Sequence, residues 1–428
     1  MEMRSYPALG EQVLWDVLPN GLPIAIVPRP GFTKKLAYFV TDYGAIHREF
    51  TLDGESFTAP AGVAHFLEHK LFDMPGRDIS AEFAALGASV NAFTSYDMTA
   101  YYFGCTDNFE KALALLLEFV SRPCFTQESV DKEQGIIGQE IGMHDDNPES
   151  QIFELLMQAM YRNHPVRTPI LGTRESIAQI TPQVLTQCHQ AFYRPDNMLL
   201  CIVGDVDANT VRSIALEVLP DTPAGKVEKR RSWPEELTCP QQQVSREMEV
   251  AMPMFQIGFK YPPLDFGPEA IRREIIGDLA AEALFGESSP LYLKMYEEGL
   301  IDTAFGGGFE TIEGMALLTA FGDSDDPEAV LTAILEQARQ LVREGIPEEE
   351  FLRMKRSAMG RRIRSLDSFD ATCFRVCAYH FSGFDYFRFP ELYQQITVQD
   401  ILDFLQQTVH PQQASLACIY PTEQEETL

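Results

Sequence analysis

Two homologous α+β domains, each a mostly antiparallel sheet with helices packed on one face, are what this sequence predicts. Three observations carry the prediction. The chain has 428 residues, room for about two to four domains at roughly 100–200 residues each. Strand-like and helix-like segments alternate along it. The order of those segments then recurs after a proline- and glycine-rich stretch near the middle.

Residues 22–27 and 36–40 are short apolar runs bounded by Asn20-Gly21 and Tyr43-Gly44, the pattern of neighbouring strands joined by turns. Over 61–71, Val63, Phe66, Leu67 and Leu71 recur at helical spacing, with Pro60 placed for a first turn. Residues 89–93 and 99–103 return to strand character, 109–120 and 127–143 to helix, and 199–206 reads as a buried strand. From 219 to 243 the pattern breaks down around Pro220, Pro223, Gly225, Pro234 and Pro240, which marks a linker. The expected division is therefore a domain over 1–219, a linker over 220–243 and a second domain over 244–428.

Beyond the linker, 255–261 echoes 36–40, and 271–285 echoes 61–71. The helix pair 329–342 and 348–364 echoes 109–143, and 414–420 takes the place of 199–206. Laying Val130 on Phe351 sets an offset of 221 residues, the mark of a domain duplication rather than a solenoid.

Composition excludes several functions. A formal net charge of −29 argues against nucleic acid, whose phosphates it would repel, and against an anionic membrane surface. The 8 cysteines are scattered, and only Cys373 and Cys377 lie close together, so they read as reduced, mostly buried thiols. No basic stretch followed by an apolar one opens the chain, and no run approaches about 18 apolar residues. A cytoplasmic location is expected.

The chemistry concentrates in His65-Phe66-Leu67-Glu68-His69. On a helix the two histidines lie one turn apart on one face, close enough to share a cation, with Glu68 beside them. With 8 His and 63 acidic residues in the chain, chance supplies roughly 0.02 such patterns. A catalytic zinc needs a third protein ligand and an open position for water, with a carboxylate nearby as general base. Glu133 and Glu140, seven apart on the helix 127–143, share a face beside Ile136, Ile137 and Ile141. Singly, each would more often be a solvated helix residue. Next to the histidine pair, they become candidates for the missing ligand and for a group that supports one.

The order His-x-x-Glu-His is that of the inverted zinc peptidases. Gly62 to His69, followed by Asn91-Ala92-Phe93-Thr94-Ser95, Glu133 and Gln139-Glu140-Ile141, resembles the insulinase/pitrilysin family of zinc metallopeptidases, in its bacterial processing-protease-like branch. His164-Pro165, Gly172-Thr173 and Phe192-Tyr193-Arg194-Pro195 extend the likeness. The resemblance implies one half of a clamshell holding one Zn2+ per chain. It assigns His65, His69 and Glu140 as ligands and Glu68 as general base, with Glu133 hydrogen-bonded to a ligating histidine. Asn91, Ala92 and Phe93 would form a strand edge on which an extended or unfolded peptide adds and is cleaved.

The second half departs from the first. At the 221-residue offset, His65, His69, Glu133 and Glu140 fall on Gly286, Pro290, Met354 and Arg361, so only the first domain is expected to bind metal. Active homo-oligomeric members of the family also carry an arginine and a tyrosine around a Gly-Leu step in the second domain. Here Met295 and Asp302 flank Gly299-Leu300. That absence implies a heterodimer with a homologous zinc-free subunit, or otherwise a homodimer. The alternative is a zinc-binding subunit that binds peptides or assembles a complex without catalysing hydrolysis. Weaker features read as structural: His144 to Glu149 as a helix exit, Gly306-Gly307-Gly308 as a turn or strand edge, and the basic segment 353–364 as a solvated or inter-domain helix face, with a chamber lining that attracts acidic peptides as the lesser alternative.

Overall fold

The computed structural model describes residues 1–222 and 225–422. Pro223 of the expected linker and residues 423–428 of the expected second domain lie outside the described residues. The first half runs β1 (Glu2–Tyr6), β2 (Glu11–Val17), β3 (Pro23–Pro28), β4 (Lys35–Thr41), α1 (Val63–Phe72), β5 (Ala88–Thr94), β6 (Thr99–Cys105), α2 (Phe109–Ser121), α3 (Gln127–Asp145), α4 (Pro148–Met160) and β7 (Met198–Gly204). The second runs β8 (Gln243–Met248), β9 (Met254–Tyr261), α5 (Pro268–Phe285), β10 (Gly306–Ile312), β11 (Met315–Asp323), α6 (Pro327–Glu344), α7 (Glu348–Arg364), α8 (Phe369–Phe381) and β12 (Ala414–Pro421).

The strands of the first half form one sheet in the order β1-β2-β3-β7-β4-β6-β5, and those of the second form another in the order β8-β12-β9-β11-β10. Both are antiparallel except for one parallel pair each, β3 with β7 and β8 with β12. The run β3-β7-β4-β6-β5 therefore matches the second sheet strand for strand, parallel pair included. This is the duplication the segment order predicts.

Strand alternation explains how each sheet is covered. In β4, Ala37 and Phe39 turn toward the core formed with α1 and α2, while Leu36, Tyr38 and Val40 point the other way and are buried as well. A strand buried on both faces reads as a continuous apolar run, as 36–40 does. To the predicted layer of helices on one face the structure adds a single helix on the other: α8 against β4 and β7, and α4 against β9 and β12. These two helices have 13 residues each and begin at 148 and 369, 221 apart.

The compact units are interleaved rather than divided at one cut. One comprises Met1–Ile141, Pro169–Arg231 and Arg362–Arg388, and the other Gly142–Thr168, Ser232–Arg361 and Phe389–Leu428. The chain thus contributes α8 to the first unit and α4 to the second. Part of the expected linker is fastened down: Val227–Lys229 pairs with the strand Glu49–Leu52. Asp42 accepts both Lys229 Nζ and Arg231 at 2.6 and 2.8 Å.

Helix α1 begins later than the apolar spacing predicts, leaving Pro60 outside it. Its N-cap, Gly62, has φ 86, a left-handed conformation that a side chain would strain. A Cβ there would also run into the Leu171 carbonyl. This close approach fixes where the helix can start.

Candidate metal centre

All the residues singled out on 61–140 lie within the first unit. On α1, Phe66 and Leu67 are buried in the core, which turns His65 and His69 together onto the opposite side, their ring centroids 4.5 Å apart. Helix α3 presents Ile137 and Ile141 to the core. Ile136, expected on that buried side, is 45% exposed instead, because it is rotated about 100° from Ile137. Glu133 and Glu140, two turns apart, both face α1.

The contacts are specific. Glu140 places Oε1 3.6 Å from His65 Nε2 and Oε2 3.8 Å from His69 Nε2, and the donor atoms of these three residues lie within 4.8 Å of one another. Glu133 Oε1 is 3.0 Å from His69 Nδ1. With Nδ1–H donating to Glu133, the lone pair of His69 sits on Nε2, the atom facing Glu140. His65 Nδ1 is buried and has no hydrogen-bond partner among the described residues. Two imidazoles and one carboxylate converging this way fit zinc, which takes such three-residue sets and keeps a fourth position for water or substrate.

Burial pushes His65 down to about 3, and neighbouring His69 adds to the effect, so His65 is neutral, as a ligating imidazole must be. Burial also acts to lower His69, but the Glu133 hydrogen bond and the carboxylates of Glu68, Glu133 and Glu140 outweigh it and raise the ring above its usual value. Glu68 is raised chiefly by burial, opposed by the Thr94 hydrogen bond and by His69, with Glu140 adding to the rise.

Thr94, to which the motif Asn91-Ala92-Phe93-Thr94-Ser95 gave no role, closes β5 and donates its hydroxyl to Glu68 Oε2 at 2.6 Å. Its signal was strand alternation: two residues from Ala92, it shares that residue's core-facing side. Asn91 and Phe93 turn to the other face, where Phe93 lies 6.3 Å from Tyr102 and 5.9 Å from Phe374 by ring centroids. Asn91, Ala92 and Phe93 therefore lie together on β5, the outermost strand of the sheet beyond β6. Among the described residues, its far edge pairs with no other strand.

Features outside this cluster stay apart from it. His144 lies 3.4 Å from Glu154. His47 accepts the Gly44 amide at 3.0 Å and is fully buried, while Gly306-Gly307-Gly308 opens the edge strand β10. Met295 is buried in the helix Pro290–Glu297, and Asp302 Oδ1 accepts the Ala304 amide at 2.8 Å.

Residues 57–174 match the family model for insulinase, peptidase family M16, and 179–358 match the model for the M16 inactive domain. The chain is 36% identical to the Bacillus subtilis protein named "Uncharacterized zinc protease YmfH", over 97% of this chain and 98% of that one. The chain belongs to the insulinase family. The crystal structure of an M16-like peptidase from Alicyclobacillus acidocaldarius is similar, with a TM-score of 0.92 and 32% identity over 96% of this chain and 99% of that one. The periplasmic protease PqqL of Escherichia coli shares the fold, with a TM-score of 0.74 and 21% identity. There, 99% of this chain covers 48% of the other, so this M16 chain has the fold of about half of PqqL. The first of these family matches spans His65, His69 and Glu140, and the second, which begins within the first unit, contains none of the three.

Proposed function

We propose that this chain is a zinc-dependent endopeptidase acting on extended or unfolded peptides, with one Zn2+ per chain held by His65, His69 and Glu140. The observation that carries this reading is the convergence of those three donors within 4.8 Å, with the Glu68 carboxylate one residue from His69. A zinc ion there would polarise a water molecule and the scissile carbonyl.

The chain's own groups would do the rest. His65, kept neutral by burial, presents an imidazole nitrogen without first losing a proton. Glu133 holds His69 in the tautomer that turns Nε2 toward Glu140. Thr94 occupies Oε2 of Glu68, leaving Oε1 to take a proton from water and later deliver it to the leaving amine. The open edge of β5 at Asn91, Ala92 and Phe93 offers backbone groups to a peptide lying as an added strand, which favours extended segments over folded ones.

To test this reading, the purified chain is assayed for zinc content and for cleavage of a quenched peptide. Wild type should hold about one zinc per chain, and Glu68→Gln should keep the metal while losing at least about a hundredfold in kcat. Unchanged cleavage in that variant would remove Glu68 from the role of base. The eight unbridged thiols suit a reducing compartment, and the proposed location is the cytoplasm. A second reading, a zinc-binding subunit that does not cleave peptides alone, is favoured by Met295 and Asp302 standing where active homo-oligomers carry arginine and tyrosine. The proposed enzyme therefore works as a dimer, with a homologous subunit as its partner.

A further inference from the structure

We propose that Lys70 is a positioning residue for the metal centre, its buried charge bracing Glu133 against His69. The inference rests on the metal-site reading above and concerns a residue to which neither the motif nor the family match gives a role.

Lys70 follows His69 on α1, yet its side chain is fully buried. A lysine is almost never buried without partners, since removing an ammonium group from water is costly. Its partners are an ion pair with Asp73, the Ser129 carbonyl at 3.3 Å and Glu133 Oε2 at 3.7 Å. Ser129 and Glu133 are one helical turn apart on α3, so a single ammonium group touches the same face of that helix twice. It thereby ties α3, which carries Glu133 and Glu140, to α1, which carries His65 and His69.

The two oxygens of Glu133 are divided between these neighbours: Oε1 meets His69 Nδ1 at 3.0 Å, and Oε2 faces Lys70. A carboxylate held at both ends cannot rotate away from the imidazole, and that imidazole cannot readily swap tautomers. Asp73 and Ser129 alone would make Lys70 a plain cross-link between helices. Its contact with Glu133 is what connects it to metal affinity.

The test is a double-mutant cycle on full-length protein, with zinc dissociation constants measured by chelator competition and thermal unfolding of the metal-free forms recorded alongside. Lys70→Met should weaken zinc binding roughly ten- to a hundredfold, the range for groups that support metal ligands. It should add little further loss in a Glu133→Gln background, because the carboxylate through which it acts is already gone. Lys70→Gln keeps a donor but no charge, so it serves as the second variant and should behave like Lys70→Met. Wild-type affinity in Lys70→Gln, or an equal loss with and without Glu133, would overturn the inference while leaving the metal site standing. A wild-type chain that takes up no zinc would overturn the metal-site reading and this inference with it.

Discussion

Glu68 is a buried carboxyl beside Glu140, and both conditions favour its protonated form, which cannot act as a base. The Thr94 hydroxyl opposes them by donating a hydrogen bond to the charged form. Removing it should therefore disturb the chemistry more than the binding of peptide or metal. Thr94→Val is expected to lower kcat roughly ten- to a hundredfold, the worth of one hydrogen bond to a charged group, with KM and zinc content near wild type. Thr94→Ser should recover most of the rate, and a Val variant as fast as wild type would show that Thr94 only packs. Helical spacing puts His65, Glu68 and His69 on one face and Glu133 and Glu140 on another, but the separate role expected of each came only from the resemblance. The roles of Thr94 and Lys70 were not legible, because they depend on which element lies opposite them. Ile136 was misplaced for a related reason: helical spacing names an apolar face, but only packing fixes where its border falls.

Among the elements, α3 and α4 meet at a corner that carries its own pH dependence. Asn147 caps α4 by accepting the Ser150 amide at 2.9 Å, with Pro148 in the first turn. Nearby, Glu154 is pushed up to about 7, mainly by burial and then by Asp145, with Arg246 acting in the opposite direction. In the unfolded chain this carboxyl titrates near 4.5. Between the two values the folded chain holds a proton that the unfolded chain has released, so stability falls as pH rises from about 4.5 to about 7. Glu154→Gln removes that titration. It should raise the unfolding free energy at pH 8 by about 1–3 kcal/mol, with the gain vanishing near pH 4.5, as urea titrations at the two pH values would show. Equal gains at both would mean that the side chain stabilises or destabilises by packing alone. Element positions were largely readable, since apolar period and turn residues mark strands such as 36–40 and helices such as 348–364. Which sheet α4 and α8 cover was not readable, because local periodicity gives a helix's buried stripe but not the surface that receives it.

For the whole molecule, the repeated strand order ties the two halves to one ancestral layout, while their residues have diverged in function. The offset of 221 made the duplication legible, yet a single cut near 219 missed the interleaving that exchanges α4 and α8 between units. The candidate metal ligands His65, His69 and Glu140 lie in the first unit. In the other, Met295 is buried and Asp302 is engaged by the Ala304 amide, and neither side chain can donate a hydrogen bond to a developing oxyanion as arginine and tyrosine do. A chain with ligands and base but without that pair should bind zinc fully and turn over slowly by itself. Mixing it with a homologous, zinc-free subunit from the same host that carries the arginine and tyrosine should raise kcat by about a hundredfold or more, the scale of losing one such donor, without changing zinc content. Gel filtration with and without that subunit, coupled to peptide-cleavage assays, would report association and rate together. Full turnover by the zinc-loaded chain alone would show that Met295 and Asp302 cost it nothing and that a homodimer suffices.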